Sequence, residues 1–462
     1  MRRTAVAWCS FCIGVGFASA LPAQGLARAI EAAEALGART GVAVTDADGR
    51  VLFRHRATEA FAPASNMKLL TAAAVLSGLG ADFQFTTTFR LEKGRLVVQA
   101  SGDPNWIHDT VHDPAHVFAD VARALQRLGV TTLAGIDLQA GDFSGPSRPA
   151  TWPQDQLHTY YCAPTGPFVL EQGVFVLRLQ GSSGNNAAVE LVAPFAAIAL
   201  RNQVALVDAK KDVVYGAIDG GDGTVKVTGR FPRRGTPVEI KTAVVDPTTW
   251  YHAALQRAVA DVGIRLGTPT DIADQVVHSH PSDLKQAILR MLEDSSNFDA
   301  EQCLRVLGHH AVQDGSLAGG ITALQRQVQK LVGQLPEGAV FADGSGLSKQ
   351  NRLTPGLLVV ALMRASAGKG GPVLRACLPV AGQSGTLQGR FLGTDLVGRV
   401  RAKTGWIRGA SSLSGMVEGK DGKVRWFSIL MNYDAKKDGL NKELKQLQEQ
   451  IVRAVDQLEP SR

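Results

Sequence analysis

A chain of 462 residues exceeds what one ordinary hydrophobic core organises and predicts two or three domains. Its formal charge of +7, from 49 Lys and Arg against 42 Asp and Glu, is scattered along the chain. That balance gives no indication of nucleic acid and reads as a solvated surface compatible with anionic wall polymers or lipid headgroups. Of the five cysteines Cys9 and Cys12 lie in the apolar run at the chain start, and the other three, Cys162, Cys303 and Cys377, are an odd number without a Cys-x-x-Cys spacing, which argues against a zinc ribbon or a full disulfide framework.

At the start of the chain Arg2 and Arg3 precede an apolar run from Ala5 to Phe17 and the small residues Ala18, Ser19 and Ala20. This is the layout of a secretory signal peptide, expected over residues 1–20, with cleavage after Ala20 or after Ala23. The run is shorter than the roughly 20 apolar residues of a membrane span. Removing it takes away Arg2, Arg3, Cys9 and Cys12, leaving a charge two lower, +5, and the cysteines Cys162, Cys303 and Cys377. These three are expected to pack in the interior, with one pair able to bridge. A periplasmic or otherwise exported location follows as an expectation.

Past a helical stretch at Ala27 to Leu36, Thr40 to Thr45 and Val51 to Arg54 form a hairpin around the turn Asp46-Ala-Asp-Gly49. Ser65 then opens a run of good helix formers that Gly78 and Gly80 end. Residues 86–244 change to short alternating strands, Leu91 to Val98, Val174 to Leu179 and Thr224 to Val227 among them, with one helix near Val117 to Leu128. This reads as an inserted β-rich region. Helical periodicity returns at Thr248 to Val262, Leu284 to Leu292, Ala300 to Val312, Ile321 to Leu331 and Pro355 to Ala365. Three strands follow, at 398–405, 412–417 and 424–430, and a charged amphipathic helix, Lys442 to Leu458, closes the chain. The expected fold is α+β: an antiparallel sheet flanked by helices, discontinuous, built from residues 25–85 and 245–462. First and last segments would share that sheet.

A serine hydroxyl is a poor nucleophile until a base takes its proton, and a helical i, i+3 spacing puts Lys68 beside Ser65. Lysine can be that base if burial and a nearby cation, for which Lys403 is suited, lower its pKa. Backbone N–H groups at the start of the same helix can serve a developing oxyanion. Ser-x-x-Lys alone is weak, and the chain holds a rival, Ser282-Asp-Leu-Lys285, read as a helix N-cap and a solvated lysine. Context favours Ser65, because Ser295-Ser-Asn297 and Lys403-Thr-Gly405 follow in the order that penicillin-recognising chemistry uses.

With these motifs the chain resembles the D-alanyl-D-alanine carboxypeptidases of the penicillin-binding protein 4 type, peptidase family S13. The resemblance runs through Pro63-Ala-Ser-Asn-Met-Lys-Leu69, Gly102-Asp-Pro104, Ser295-Ser-Asn-Phe-Asp-Ala-Glu301, Asp343-Gly-Ser-Gly-Leu-Ser348 with Asn351, Leu378-Pro-Val-Ala-Gly382, Gly385-Thr-Leu387 and Gly398-Arg-Val-Arg-Ala-Lys-Thr-Gly405. It implies a serine β-lactamase/transpeptidase-like domain interrupted between Lys68 and Ser295. It also implies that Ser65 forms the acyl-enzyme, Lys68 is its base, Ser295 relays a proton to the leaving amine and Asn297 holds the substrate amide and the lysine. Lys403 and Thr404 would bind a terminal carboxylate, and the N–H groups of Ser65 and, after Gly405, Trp406 would form the oxyanion hole. Ser296 stands where the family often has Asp, and Trp406 where it often has Thr. Neither change removes a catalytic atom, but Trp406 can narrow the cleft or stack on substrate.

The implied activity is an exported, cofactor-free D-Ala-D-Ala carboxypeptidase, also able to cut cross-bridges as an endopeptidase, acting on peptidoglycan peptides and acylated by β-lactams. A β-lactamase or esterase on the same scaffold, and an inactive wall-binding scaffold, are the competing readings. Peripheral membrane association through the terminal helix is a further possibility. Asn297 before Phe298-Asp-Ala-Glu301 also fits a helix cap. His108, His112 and His116 recur every fourth residue, with Asp109 and Asp113 nearby, but Pro114 interrupts any shared helix and no metal is expected. Cys162 lacks a His-Asn or His-Asp arrangement that would make it a nucleophile.

Overall fold

The computed structural model describes residues 20–193, 198–208, 213–437 and 439–459. The leader expected at 1–20 therefore lies outside the described residues except for Ala20, where helix α1 (Ala20–Ala35) begins. Both expected cleavage points fall in its first turn, ahead of the buried residues Leu26, Ala29, Ile30 and Ala33. Among the described residues no helix is long and apolar enough to cross a membrane.

The chain continues through strands β1 (Arg39–Asp46) and β2 (Val51–His55) into α2 (Met67–Leu79). Then come β3 (Gln84–Glu92), β4 (Arg95–Gln99), α3 (Pro114–Arg127), β5 (Thr132–Leu133) and β6 (Gly135–Gln139). Strands β7 (Val174–Gln180), β8 (Ala188–Leu191), β9 (Ala199–Val207), β10 (Val214–Asp219), β11 (Thr224–Pro232) and β12 (Val238–Ala243) follow. After α4 (Pro247–Asp261), β13 (Arg265–Leu266) and β14 (Gln275–Asp283) lie five helices: α5 (Leu284–Glu293), α6 (Asn297–Val312), α7 (Leu317–Val332), α8 (Pro355–Ala367) and α9 (Gly371–Ala376). The last elements are β15 (Val400–Ile407), β16 (Ala410–Glu418), β17 (Val424–Asn432) and α10 (Leu440–Asp456).

Chain start and chain end share one antiparallel sheet of order β15-β16-β17-β1-β2. Both of its faces are covered, so β16 and β17 are almost continuously buried. Alternation along β17 sends Trp426 and Leu430 into the core shared with α2, α5, α6, α7 and α8, and Phe427, Ile429 and Met431 into the core under α1 and α10. Leu444, Leu447, Ile451, Val452 and Val455 of α10 are all buried in this second core. The apolar face of the terminal helix is thus used up inside the fold, which removes the membrane role considered for it.

Four smaller sheets occupy the stretch between α2 and α5: β14-β3-β4-β6, β12-β7-β8, β10-β11-β9 and the short pair β13-β5. Their core includes Phe89, Phe118, Leu177 and Val225. The boundary expected at residue 244 is displaced. Trp250, Tyr251, Ala254, Leu255 and Val259 of α4 fill this same core, and β14 pairs antiparallel with β3, so the chain stays with the insertion until about residue 283. The stretch Leu91 to Val98, expected as one strand, is a hairpin of β3 and β4. Lys93 and Gly94 both have positive φ (49° and 74°), the conformation a tight hairpin turn needs.

Two local expectations change as well. Ser282 is the buried end of β14 rather than a cap; its hydroxyl donates to Asp103 Oδ1 (2.7 Å) and accepts from Asn105 (2.8 Å). Lys285 is exposed, as expected. Asp113 caps α3 with Pro114 in its first turn, so His108 and His112 lie outside the helix that carries His116. Cys162, Cys303 and Cys377 are all buried and free, and no pair bridges.

Candidate active site

Ser65 lies in a 3₁₀ turn, Ala64–Asn66, that feeds α2. Asn66 is fully buried and locks this turn to the sheet: its amide donates to Lys403 O (2.8 Å) and its Oδ1 accepts from Ser414 (2.6 Å). Ser412 adds a bond to Pro63 O (2.7 Å). Ser412 and Ser414 of β16 are therefore satisfied by the Ser65 turn, and the third buried serine, Ser411, by Asn441 and Gln448, as buried hydroxyls require. On the other side Gly346, at φ 83°, passes so close to Ala64 that a Cβ would sit 1.8 Å from the Ala64 carbonyl oxygen.

One turn along α2, Lys68 is wholly buried. Its Nζ lies 3.1 Å from Ser65 Oγ, 2.7 Å from Asn297 Oδ1 and 2.7 Å from Ser345 O. Two of these partners are pure acceptors and the third is a hydroxyl. A neutral amine could donate to Asn297 and Ser345 and keep its lone pair for the Ser65 proton. Burial brings the Lys68 pKa down to about 8, against the pull of Asp343 and Glu301 in the opposite direction.

The loop carrying Ser295 and Asn297 is shaped by Ser296. Its side chain caps α6 by accepting from Asp299 N (3.1 Å), so the cap expected at Asn297 sits one residue earlier. That frees the Asn297 amide, whose Nδ2 donates to Tyr161 O (2.8 Å) while Oδ1 faces Lys68. Ser295 takes a left-handed conformation (φ 61°), uncommon outside glycine. Its side chain lines the cleft and makes no hydrogen bond to Ser65 or Lys68.

Lys403 on β15 is fully buried and donates to Thr404 O (2.9 Å). Burial, and then the charge of Lys68, push its pKa well below the usual lysine value. The sequence pointed to Lys403 as the cation that depresses Lys68; in the structure burial is what lowers Lys68. Thr404 Oγ1 bonds Thr386 Oγ1 (2.9 Å). At Gly405 a Cβ would fall 2.9 Å from Ser65 N and 2.2 Å from Ser412 Oγ, so β15 runs directly beside the Ser65 N–H. Trp406 is 57% exposed, and its indole N–H reaches Tyr433 Oη (3.2 Å).

A cleft of about 1100 Å³ opens over this constellation, with Ser65, Ser295, Asn297, Tyr161, Lys349 and Trp406 in its walls. Lys68 and Lys403 lie beneath it, and Thr404 is not in its wall.

Several contributors had no role assigned from sequence. Glu301, fully buried, accepts from Gly344 N (3.0 Å) and Ser345 N (2.8 Å), and so sets the carbonyl that holds Lys68. Burial and the neighbouring Asp343 push its pKa up to about 8. Asp343 accepts from Gly346 N, Ser348 N and the Asn351 amide (2.7, 2.6 and 2.7 Å), folding the loop that presents Ser345. The glycine-rich run beginning at an acid was the available signal for this loop. Asn66 left none. Away from the cleft, His108, Asp109 and Asp113 bring ligand-type atoms within 4.8 Å of one another; Asp113 caps α3 through Oδ1 and pairs with His108 Nδ1 through Oδ2 (3.0 Å), and His116 lies on the helix beyond.

A Ser-x-x-Lys turn, a Ser-x-Asn loop and a Lys-Thr-Gly strand that meet at one cleft beside an antiparallel sheet define a penicillin-recognising peptidase. Residues 23–457 match the D-Ala-D-Ala carboxypeptidase 3 (S13) family, and the chain belongs to it: it is a hydrolase of the D-Ala-D-Ala carboxypeptidase class. It is 32% identical over 430 residues to a D-alanyl-D-alanine carboxypeptidase of Actinomadura sp. (strain R39), covering 86% of this chain and 78% of the relative. A carboxypeptidase of Mycolicibacterium smegmatis is 30% identical over 429 residues, with 88% and 80% covered. The fold is that of penicillin binding protein 4 from Haemophilus influenzae, at TM-score 0.78 and 22% identity over 93% of this chain and 98% of that one. A structure of the same protein with a β-lactam superposes at TM-score 0.72 and 21% identity, over 95% and 99%.

Proposed function

We propose that this enzyme is exported and removes the terminal D-alanine of peptidoglycan peptides through an acyl-enzyme on Ser65. Neutral Lys68 takes the Ser65 proton as Oγ attacks the carbonyl of the penultimate D-alanine. The N–H groups of Ser65 and Trp406 stabilise the oxyanion. The C–N bond then breaks, Ser295 relays a proton to the departing amine, and free D-alanine leaves. Water hydrolyses the ester and restores Ser65. Asn297 orients the substrate amide, while Lys403 and Thr404 bind the terminal carboxylate at β15.

The observation that carries this reading is the placement of the buried Lys68 amine between Ser65 Oγ, Asn297 Oδ1 and Ser345 O. A β-lactam would enter the same sequence, but its amine stays tethered to the acyl group and does not leave the site, so the adduct persists. Cross-bridge cleavage is the same chemistry with an amine-bearing peptide as leaving group, and the size of the cleft supports it.

The test is intact-protein mass after incubation with benzylpenicillin, on the unmutated enzyme and on Ser65→Ala. One adduct on the former alone is expected. An adduct on both would place the nucleophile elsewhere. Absence from both, with the penicillin intact, would favour a wall-binding scaffold; with the penicillin destroyed, a β-lactamase.

A further inference from the structure

The sheet β10-β11-β9 has one face in the core and one in solvent. Val204, Ala217, Val225, Val227 and Phe231 point inward and are buried. The pairing register arranges the outward residues in rows: Ile218, Lys226 and Arg201; Gly216, Thr228 and Gln203; Val214, Arg230 and Ala205. These rows hold three cations and no carboxylate. Lys226 and Arg201 are direct partners in register, an arrangement of like charges that destabilises a sheet. None of the three cations forms a salt bridge or hydrogen bond; of the described acids at the ends of these strands, Asp208 after β9 pairs with Arg233 (3.7 Å), and the others sit at the turn that follows β10. There Asp219 is bonded to Gly221 N and Val245 N, and Asp222, which feels Arg201, is bonded to Thr224.

Beside the cations runs an edge strand with exposed aliphatic side chains. Val214 and Ile218 are 60% and 54% exposed, and Val213 and Val245, near the two ends of β10, are exposed as well. Single exposed aliphatics are ordinary; several together beside an unpaired basic face are not.

We propose that this face docks the enzyme onto an anionic lipid surface. Arg201, Lys226 and Arg230 would meet lipid phosphates, and Val214 and Ile218 would enter the headgroup layer. Charge alone would suit any polyanion. The aliphatic row favours lipid, because Val214 and Ile218 stay in water against a hydrated wall polymer but leave it at a headgroup boundary.

The experiment is sedimentation of the full chain with vesicles of phosphatidylglycerol and phosphatidylcholine in roughly equal parts. Binding is expected to the mixed vesicles, to fall with phosphatidylcholine alone and to weaken at roughly 0.5 M salt. K226E/R230E should lower the partition coefficient by at least roughly 100-fold, since each cation near such a surface is worth about fivefold. V214S/I218S should lower it roughly tenfold. Both variants should hydrolyse a soluble D-Ala-D-Ala peptide at the unmutated rate, which excludes misfolding. No binding to mixed vesicles, or binding that K226E/R230E leaves unchanged, would overturn the proposal. So would binding to purified peptidoglycan that K226E/R230E abolishes while vesicles are ignored, which would assign the face to a wall polymer.

Discussion

Lys68 Nζ and Asn297 Oδ1 lie 2.7 Å apart across 229 positions of sequence, with the Ser65 hydroxyl 3.1 Å from the same nitrogen. With Lys68 as the proposed base, its protonation state is the switch for acylation. Burial holds the Lys68 pKa at about 8, so the neutral amine predominates above that pH and the ammonium below it. The rate of acylation by benzylpenicillin should therefore rise about tenfold per pH unit on the acid side and level off above pH about 8. Stopped-flow or quenched-mass measurements from acid to alkaline pH check this; a flat profile would contradict it. Lys68→Met should lower the rate about 10³-fold at the plateau.

Glu301 titrates in the same window, because burial and Asp343 push its carboxyl up to about 8. Its charge is one of the two that raise the Lys68 pKa. Glu301→Gln is nearly isosteric, and its Oε1 can still accept from Gly344 N and Ser345 N. The expected outcome is a pH limb moved to lower pH with the plateau changed little. A large loss of plateau rate with an unmoved limb would mean that Glu301 serves only to fold the loop at 343–348.

Much of this was legible in sequence, for physical reasons that differ from element to element. The helices α4, α5, α6, α7 and α8 carry long 3.6-residue patterns and were located within a few residues. Strands β15, β16 and β17 announced themselves by β-branched and aromatic runs between glycines. By contrast β14, reading Gln-Val-Val-His-Ser-His-Pro-Ser-Asp, has a proline and exposed polar residues and no alternation of its own. It becomes a strand only because β3 offers a partner, and that pairing is what displaced the boundary from residue 244. At the site, the spacing of Ser65 and Lys68 is local and readable. The bonds of Asn66 to Lys403 and Ser414 span 337 and 348 positions and leave no local trace. Ser296 shows a third case: two adjacent residues both suit an N-cap, and only the tertiary demand of Lys68 on Asn297 decides between them.

The salt bridge of Arg290 to Asp299 (2.6 Å) joins α5 to α6 behind the Ser295 loop, with Asp299 fully buried and also accepting from Gln172 (2.7 Å). Removing the carboxylate charge leaves a mostly buried guanidinium without its counter-ion. Asp299→Asn should cost about 3 kcal/mol of stability, a loss that replacement of both partners by apolar residues would largely avoid. Denaturant or thermal unfolding of the single and double variants measures it. A change below about 0.5 kcal/mol would mean that Asn105 and Pro104, which also bond Arg290, suffice to hold it.

Gly405→Ala places a methyl group 2.9 Å from Ser65 N and 2.2 Å from Ser412 Oγ. The backbone of β15 must retreat from the Ser65 turn, and the space in which an oxyanion would meet the Ser65 N–H is disturbed. Acylation should fall by about 10²–10³-fold, the usual effect of losing one such donor. The five-stranded sheet should survive, since the change is at one position of an otherwise intact ladder. Circular dichroism and the benzylpenicillin acylation rate together separate this outcome from unfolding.

Trp406 is a bulky residue whose backbone N–H is the second of the two proposed oxyanion donors. Its main chain belongs to β15 and its side chain lies out in the cleft wall, more than half exposed, tied only to Tyr433. Trp406→Ala leaves the backbone N–H in place and removes an aromatic surface from one side of the cleft. The expected result is an acylation rate with small β-lactams within about threefold of the unmutated enzyme. For a longer peptidoglycan peptide the KM should rise, by roughly tenfold if the indole packs on substrate, with kcat little changed. A fall in kcat for every substrate alike would show instead that the side chain holds β15 in register, and that the oxyanion donor depends on the residue after all.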